Sequence, residues 1–274
     1  MDDLATDPPV PPGARVAAFF DLDKTIIARS SMLAFSRPFF AEGIINRRAV
    51  LKSGYAQLMF LLGGAEADQI DRMREYLTRL CAGWDAAQVR AVVEETLHDI
   101  VDPLVYSEAA ELIAEHQACG HDVVVISASG QELVAPIARM LGAQHSVGTS
   151  MVIAEGKYTG ELEFYCYGEQ KAEAIVELAA THGYRLEHCY AYTDSVTDLP
   201  MLEAVGRPCV VNPNRALRRI ATERGWEVRT FSGAVSPARR LTSSATSTVA
   251  ATAVGLGAVA AGVTWYGMQR RRKD

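Results

Sequence analysis

Four short stretches of this 274-residue chain put carboxylates, hydroxyls or a lysine where apolar runs stop or helical patterns begin. The first is Asp21-Leu22-Asp23-Lys24-Thr25 and the second Ser127-Ala128-Ser129-Gly130. The third is Thr193-Asp194-Ser195, followed by Asp198, and Lys171 opens the helical segment that precedes it. Carboxylates gathered in one crevice repel each other unless a cation stands between them. An all-oxygen donor set suits Mg²⁺, which takes carboxylates, water and substrate phosphate. Ser127 offers a hydroxyl donor, the amides of Ala128 and Ser129 offer an anion nest, and Lys171 adds a positive charge. Donors, a lysine and a divalent cation around a carboxylate make a site for a phosphoryl group with a nucleophile beside it.

Such residues meet only if the elements behind them line up. In an open α/β sheet, ligands bind beyond the carboxyl ends of the strands. Apolar runs at 15–23, 121–129, 188–195 and 209–213 read as strands, and 226–231 as an edge strand. Helical patterns over 103–120, 130–142, 169–183 and 196–206 separate them, most closing on a glycine. Continuous apolar strands alternating with helices predict a parallel sheet covered on both faces. Two segments interrupt the alternation. Residues 30–102 read as all-helical, with Ile70, Met73, Leu77 and Leu80 on one face, then Val89, Val92, Val93, Leu97 and Ile100 on another. Residues 146–168 read as a β-hairpin turning near Glu155-Gly156.

Composition removes other classes. Apolar residues at 49% and charged residues at 22% exclude a wholly disordered chain. Five cysteines with no CxxC pair argue against a disulfide scaffold or zinc cluster and for a reducing compartment. Residues 1–14 are acidic and proline-rich, a disordered tail rather than a signal peptide. The net charge of −6 hides an asymmetry: residues 207–274 hold 12 Lys and Arg against 3 Asp and Glu. Residues 241–269 carry no charged side chain and are followed by Arg270, Arg271, Arg272 and Lys273. That run exceeds the roughly 20 residues a bilayer-crossing helix needs. Trp265 and Tyr266 stand at its end, where interfacial aromatics are expected. Residues 241–274 are therefore read as a C-terminal membrane anchor with a basic end, associating through 241–273 and leaving the catalytic part on the cytoplasmic face. With no helix-turn-helix or aromatic-basic module, the basic tract is not read as a nucleic-acid site.

The four stretches resemble the motifs of the haloacid dehalogenase (HAD) superfamily, in the branch (subfamily IB) that includes phosphoserine phosphatase. DLDKT resembles that family's DxDx[TV] motif, Ser127 its second motif, Lys171 its third, and TDSVTD its fourth. Order, strand-end placement and spacing agree over about residues 15–215. The resemblance implies an α/β fold: a doubly wound, Rossmann-like parallel sheet at 15–29 and 103–240, with residues 30–102 as an inserted helical cap. It implies Asp21 as the nucleophile that becomes an aspartyl-phosphate, and Asp23 as general acid and then base. It further implies Mg²⁺ on Asp21, the Asp23 carbonyl and Asp194, with Asp198 supporting. Ser127, the Ala128 amide and Lys171 would grip the phosphoryl oxygens. Lys24 fills a variable position and is assigned no role.

The resemblance stops at the substrate. Phosphoserine phosphatases usually carry a glutamate shortly after the first motif; here IIARSSMLAF holds Ser30 and Ser31 and no acid. Their cap arginine has no evident counterpart, although Arg47 and Arg48 could contact an anion. Phosphoserine is thus disfavoured. The apolar insert (Met32, Phe35, Phe39, Phe40, Tyr55, Met59, Phe60) together with an anchor suggests a small or amphiphilic phosphate ester. The same intermediate permits transfer to an acceptor other than water. A membrane-tethered regulatory protein with a vestigial pocket is the reading from another class, and the complete motif set argues against it.

Overall fold

The computed structural model describes residues 13–45, 78–79 and 81–233. All lie in the first of the two units into which the chain divides, 1–237 and 238–274. The innermost element is β1 (Ala17–Phe20), whose four side chains are completely buried. AAFF contains nothing that needs water, so it can be covered on both faces and paired on both edges. It lies parallel between β2 (Asp122–Gly130) and β5 (Tyr190–Thr193), with Phe20 opposite Val125 on one side and Tyr192 on the other. Burying one such phenylalanine contributes about 1.5–3 kcal/mol.

Adjacent strand residues point to opposite faces, and β1 shows what covers each. Phe20 packs on His116 of α4 (Ser107–Ala118), while Phe19 meets Tyr184 just beyond α6 (Glu169–His182). The full sheet has seven strands in the order β4-β3-β2-β1-β5-β6-β7, where β3 is His145–Ala154, β4 Lys157–Phe164, β6 Arg207–Val211 and β7 Glu227–Arg229. All pairs are parallel except β3 with β4. The expected edge strand is present, shortened to three residues. The expected hairpin is also present. Its two-residue turn holds Glu155 at φ 51° and Gly156 at φ 77°, the pair of positive φ values that matches the twist of a hairpin.

The helices that follow the strands are α5 (Gln131–Met140), α6, α7 (Leu199–Glu203) and α8 (Arg215–Arg224). α6 and α8 stop at Gly183 and Gly225, both left-handed as a C-terminal cap requires. One helix differs from expectation. Residues 196–206 do not form a single helix: Val196–Asp198 is a 3-10 turn and only Leu199–Glu203 is α-helical. Ser195 caps the turn by accepting from the Thr197 amide, and Pro200 has no N–H to extend an α-helical ladder backwards. Farther on, Gly206 is obligatory. A Cβ there would sit 2.0 Å from the Glu187 carbonyl, and its amide donates to Leu186 (2.8 Å), seating the start of β6 beside β5.

Between the turn after β1 and the start of α4 the described elements are helical. They include α1 (Ser31–Ala34), α2 (Ser36–Ala41) and α3 (Ala86–Val101). Asp85 caps α3 by accepting from the Gln88 amide, and the helix buries Val89, Val92, Val93 and Leu97 as its spacing predicts. Val101, rather than Ile100, completes that face. The two strands of chain that leave and re-enter the sheet run side by side: Ala28 donates to the Leu104 carbonyl and Tyr106 to that of Ile26. The β3–β4 hairpin is bonded to the approach of α3, Gly83 donating to Tyr158, Tyr158 to Trp84 and Ala86 to Gly156. The expectations for Ile70, Met73, Leu77, Leu80, Arg47, Arg48, Tyr55, Met59 and Phe60 fall outside the described residues, as do those for most of the 1–14 tail and for 241–274. Among the described residues no helix is long and apolar enough to cross a membrane. All five cysteines are free thiols.

Candidate active site

Asp21 is the first residue beyond β1, and its amide still donates to the Tyr192 carbonyl of β5 (2.9 Å). The chain then turns sharply. Leu22 accepts from both Ile26 and Ile27, and Lys24 donates to Ile27 at 2.7 Å. The turn holds Lys24 at φ 65°, left-handed for a residue with a Cβ, which costs about 1–2 kcal/mol. It leaves Asp21 buried at the strand end and Asp23 partly exposed just past it.

Lys171, one turn into α6, is buried and reaches two carboxylates. Its Nζ donates to Asp21 Oδ1 at 2.7 Å and to Asp198 Oδ2 at 2.8 Å. Thr193, at the end of β5, donates its hydroxyl to the same Asp198 Oδ2 at 2.7 Å. Asp198 stands at the start of α7 but makes no capping bond; its carboxylate is turned inward to the lysine. Burial would drive Lys171 toward neutrality, but Asp21 and Asp198 hold it charged and above the ordinary lysine value. Burial pushes Asp21 up to about 7, with Lys171 pulling down and Asp198 and Asp23 adding to the rise.

The second motif supplies donors with one change from expectation. Ser127 is buried, and its Oγ accepts from the Ser129 amide at 3.2 Å. Its own proton is left to donate. The Ser129 amide is therefore engaged and does not contribute to an anion nest, while Ala128 is exposed at the crevice. The Ala128 carbonyl accepts from Thr149 at 2.7 Å. The Ser129 hydroxyl donates to Asp23 Oδ2 (3.1 Å), and the Ser31 amide donates to Asp23 Oδ1 (2.8 Å). Asp194 follows Thr193 and is half-buried. Burial pushes it up to about 6; the Lys24 cation opposes this and Asp198 adds to it.

The fold thus gathers Asp21, Asp23, Ser127, Lys171, Asp194 and Asp198 at the carboxyl ends of β1, β2 and β5. The profile of haloacid dehalogenase-like hydrolases matches residues 18–203, the span that holds all six. The chain is a haloacid dehalogenase-like hydrolase. It stands among the phosphatases of that family. A probable phosphatase of Mycobacterium tuberculosis is 64% identical over 270 residues, covering 96% of this chain and 94% of that one. A phosphoserine phosphatase of the same organism is 37% identical over 225 residues, covering 81% and 73%. Among solved structures, a Bordetella pertussis protein of unknown function shares 31% identity with a TM-score of 0.70, covering 79% of the hydrolase and 98% of that chain.

The donor set of this hydrolase fits Mg²⁺. Asp21, Asp23, Asp194 and Asp198 bring four carboxylates to the crevice against one buried cation, Lys171. Burial raises both Asp21 and Asp194 there, and Asp198 adds to each rise, so a bound cation would favour their charged forms. Among the described residues no three acidic, His or Cys side chains are grouped to hold a metal. The expected ligand set does not require that, because its third protein donor is the backbone carbonyl of Asp23, and Mg²⁺ keeps several waters. The bonds from the Thr193 hydroxyl to Asp198, and from the Ser31 amide and the Ser129 hydroxyl to Asp23, escaped the sequence reading. Nothing local marks them, since their partners lie on other elements. A groove of about 750 Å³ bordered by Tyr190, Arg207, Arg224, Trp226 and Arg229 lies elsewhere. Its arginines are already engaged with Tyr190, Glu203 and Glu227.

Proposed function

We propose that the hydrolase is a Mg²⁺-dependent phosphomonoesterase that works through an aspartyl-phosphate on Asp21. The observation that carries this reading is the buried bridge from Lys171 to Asp21 and Asp198, at 2.7 and 2.8 Å. A structural ion pair needs one carboxylate. Two carboxylates on one lysine, with Asp194 and Asp23 beside them, make a crevice suited to an anion that arrives with a cation.

Asp21, the carbonyl of Asp23 and Asp194 would hold Mg²⁺, which when bound neutralises phosphoryl charge and orients the ester. Lys171 occupies Asp21 Oδ1, so Oδ2 is the oxygen left to attack phosphorus. Ser127 donates its hydroxyl to a phosphoryl oxygen, Ala128 its amide, and Lys171 its charge. As the P–O bond breaks, Asp23 gives its proton to the leaving oxygen, then takes one from the water that opens the acyl phosphate. Asp198 fixes Lys171. The substrate is a small or amphiphilic phosphate ester. Phosphoserine is disfavoured, because the segment after Thr25 has no acid to read an amino group and Ser31 is committed to Asp23.

The full-length protein is expected to hydrolyse phosphomonoesters with Mg²⁺ and not with EDTA. Beryllofluoride is expected to form an adduct on Asp21 only when Mg²⁺ is present. An adduct on another residue, or turnover that EDTA leaves intact, would refute the reading. Membrane association through 241–273 belongs to the same proposal and rests on the uncharged run between Arg240 and Arg270. In cell fractionation the full chain is expected with membranes and a chain ending at residue 240 in the supernatant. Identical partitioning of the two would remove the anchor.

A further inference from the structure

Asp23 is held through both of its oxygens. Its Oδ1 accepts from the Ser31 amide at 2.8 Å and its Oδ2 from the Ser129 hydroxyl at 3.1 Å. The Ser129 and Ser31 hydroxyls are in turn bonded at 2.7 Å, and both residues are buried. Ser31 comes from the start of α1 and Ser129 from the end of β2, so the clamp joins the entry of the helical insert to the sheet.

Proton counting gives the clamp a direction. A serine hydroxyl has one proton. When Ser129 donates it to an ionised Asp23, the bond between the two hydroxyls must be donated by Ser31. Ser31 thus backs Ser129, and the two oxygens of Asp23 are fixed from two different elements at once.

We propose that Ser129, backed by Ser31, is a positioning residue that aims the Asp23 carboxyl at the leaving oxygen. This rests on the reading of Asp23 as the general acid. In that step Asp21 Oδ2 bonds to phosphorus, the ester P–O bond breaks, and the Asp23 proton passes to the departing oxygen, giving a neutral alcohol and an Asp23 carboxylate.

The test uses two esters that differ in their need for that proton. An alkyl phosphate expels an alkoxide unless it is protonated, whereas p-nitrophenyl phosphate expels a stable phenolate. The full chain with Mg²⁺ is assayed on both, and kcat/KM is compared because it covers only the steps through loss of the leaving group. A well-placed general acid is worth about 10²–10⁴-fold. Ser129→Ala is therefore expected to lower kcat/KM on the alkyl ester by roughly 10²-fold, and on the nitrophenyl ester by at least about tenfold less. Ser31→Ala, which keeps the amide on Oδ1, is expected to show a smaller bias in the same direction. It decides the matter if Ser129→Ala does not fold. Equal losses on the two esters would overturn the proposal, since a merely structural role moves both alike. Asp23→Asn separates the two levels. If it is selective against the alkyl ester while the serine variants are not, only the positioning role fails. If Asp23→Asn shows no selectivity, the general-acid reading fails and the positioning role falls with it.

Discussion

Asp21→Asn is expected to abolish turnover while leaving the protein at least as stable as before. The asparagine keeps the shape of the side chain, and its carbonyl oxygen can still accept from Lys171 Nζ, now 2.7 Å from Asp21 Oδ1. A neutral amide cannot attack phosphorus, so the covalent route is closed. Removing the nucleophile of a covalent mechanism costs on the order of 10⁶ in kcat where it has been measured in a serine protease. A loss of about 10⁴ or more is expected here on p-nitrophenyl phosphate with Mg²⁺. Stability moves the other way. Asp21 and Asp198 share one lysine in a buried site, and burial already pushes Asp21 up to about 7. Deleting one negative charge relieves that crowding, as substitutions at strained active sites commonly do. The melting temperature should therefore hold or rise. Residual kcat within tenfold of the parent would remove Asp21 from the chemistry.

Lys171→Met is expected to damage activity and stability together. The side chains of Lys171, Asp21 and Asp198 are 3%, 8% and 3% exposed. Methionine fills the volume but leaves two buried carboxylates facing each other with no cation. Breaking a buried ion pair by removing one partner costs about 3–5 kcal/mol. A domain of this size loses roughly 2–4 °C per kcal/mol, so the melting temperature should fall by about 10 °C. Saturating Mg²⁺ should recover part of the loss, because a cation that binds only the folded state stabilises it by mass action. Turnover should not return with the stability, since the phosphoryl group has lost its lysine. A variant that melts like the parent would show that Lys171 is not what offsets these two carboxylates.

Much of this arrangement could be read before any coordinates. A run such as VAAFFDLD has a single sensible place, in the middle of a sheet with its acids at the rim, and β1 and Asp21 lie there. Glu155-Gly156 announces a hairpin turn by local backbone preference alone, and it forms one. What stayed hidden depends on residues far apart in the chain. Ser31 and Ser129 are separated by 98 positions. No local pattern distinguishes their hydroxyls from those of ordinary cap residues. Asp198 shows the converse. Its type and place before α7 favour helix capping, yet Lys171 and Thr193 draw the carboxylate away. The Ser129 amide looked free for an anion because its partner, the Ser127 hydroxyl, is a side-chain choice that spacing does not reveal.

The three main-chain bonds joining Gly83, Trp84 and Ala86 to the hairpin residues Gly156 and Tyr158 restrict how this enzyme can breathe. Swinging α3 away from the sheet would break all three, at roughly 0.5–1.5 kcal/mol each, and would expose the apolar face it buries. The start of α3 is thus fastened to the β3–β4 hairpin, and any motion that carried it outward would have to meet that cost.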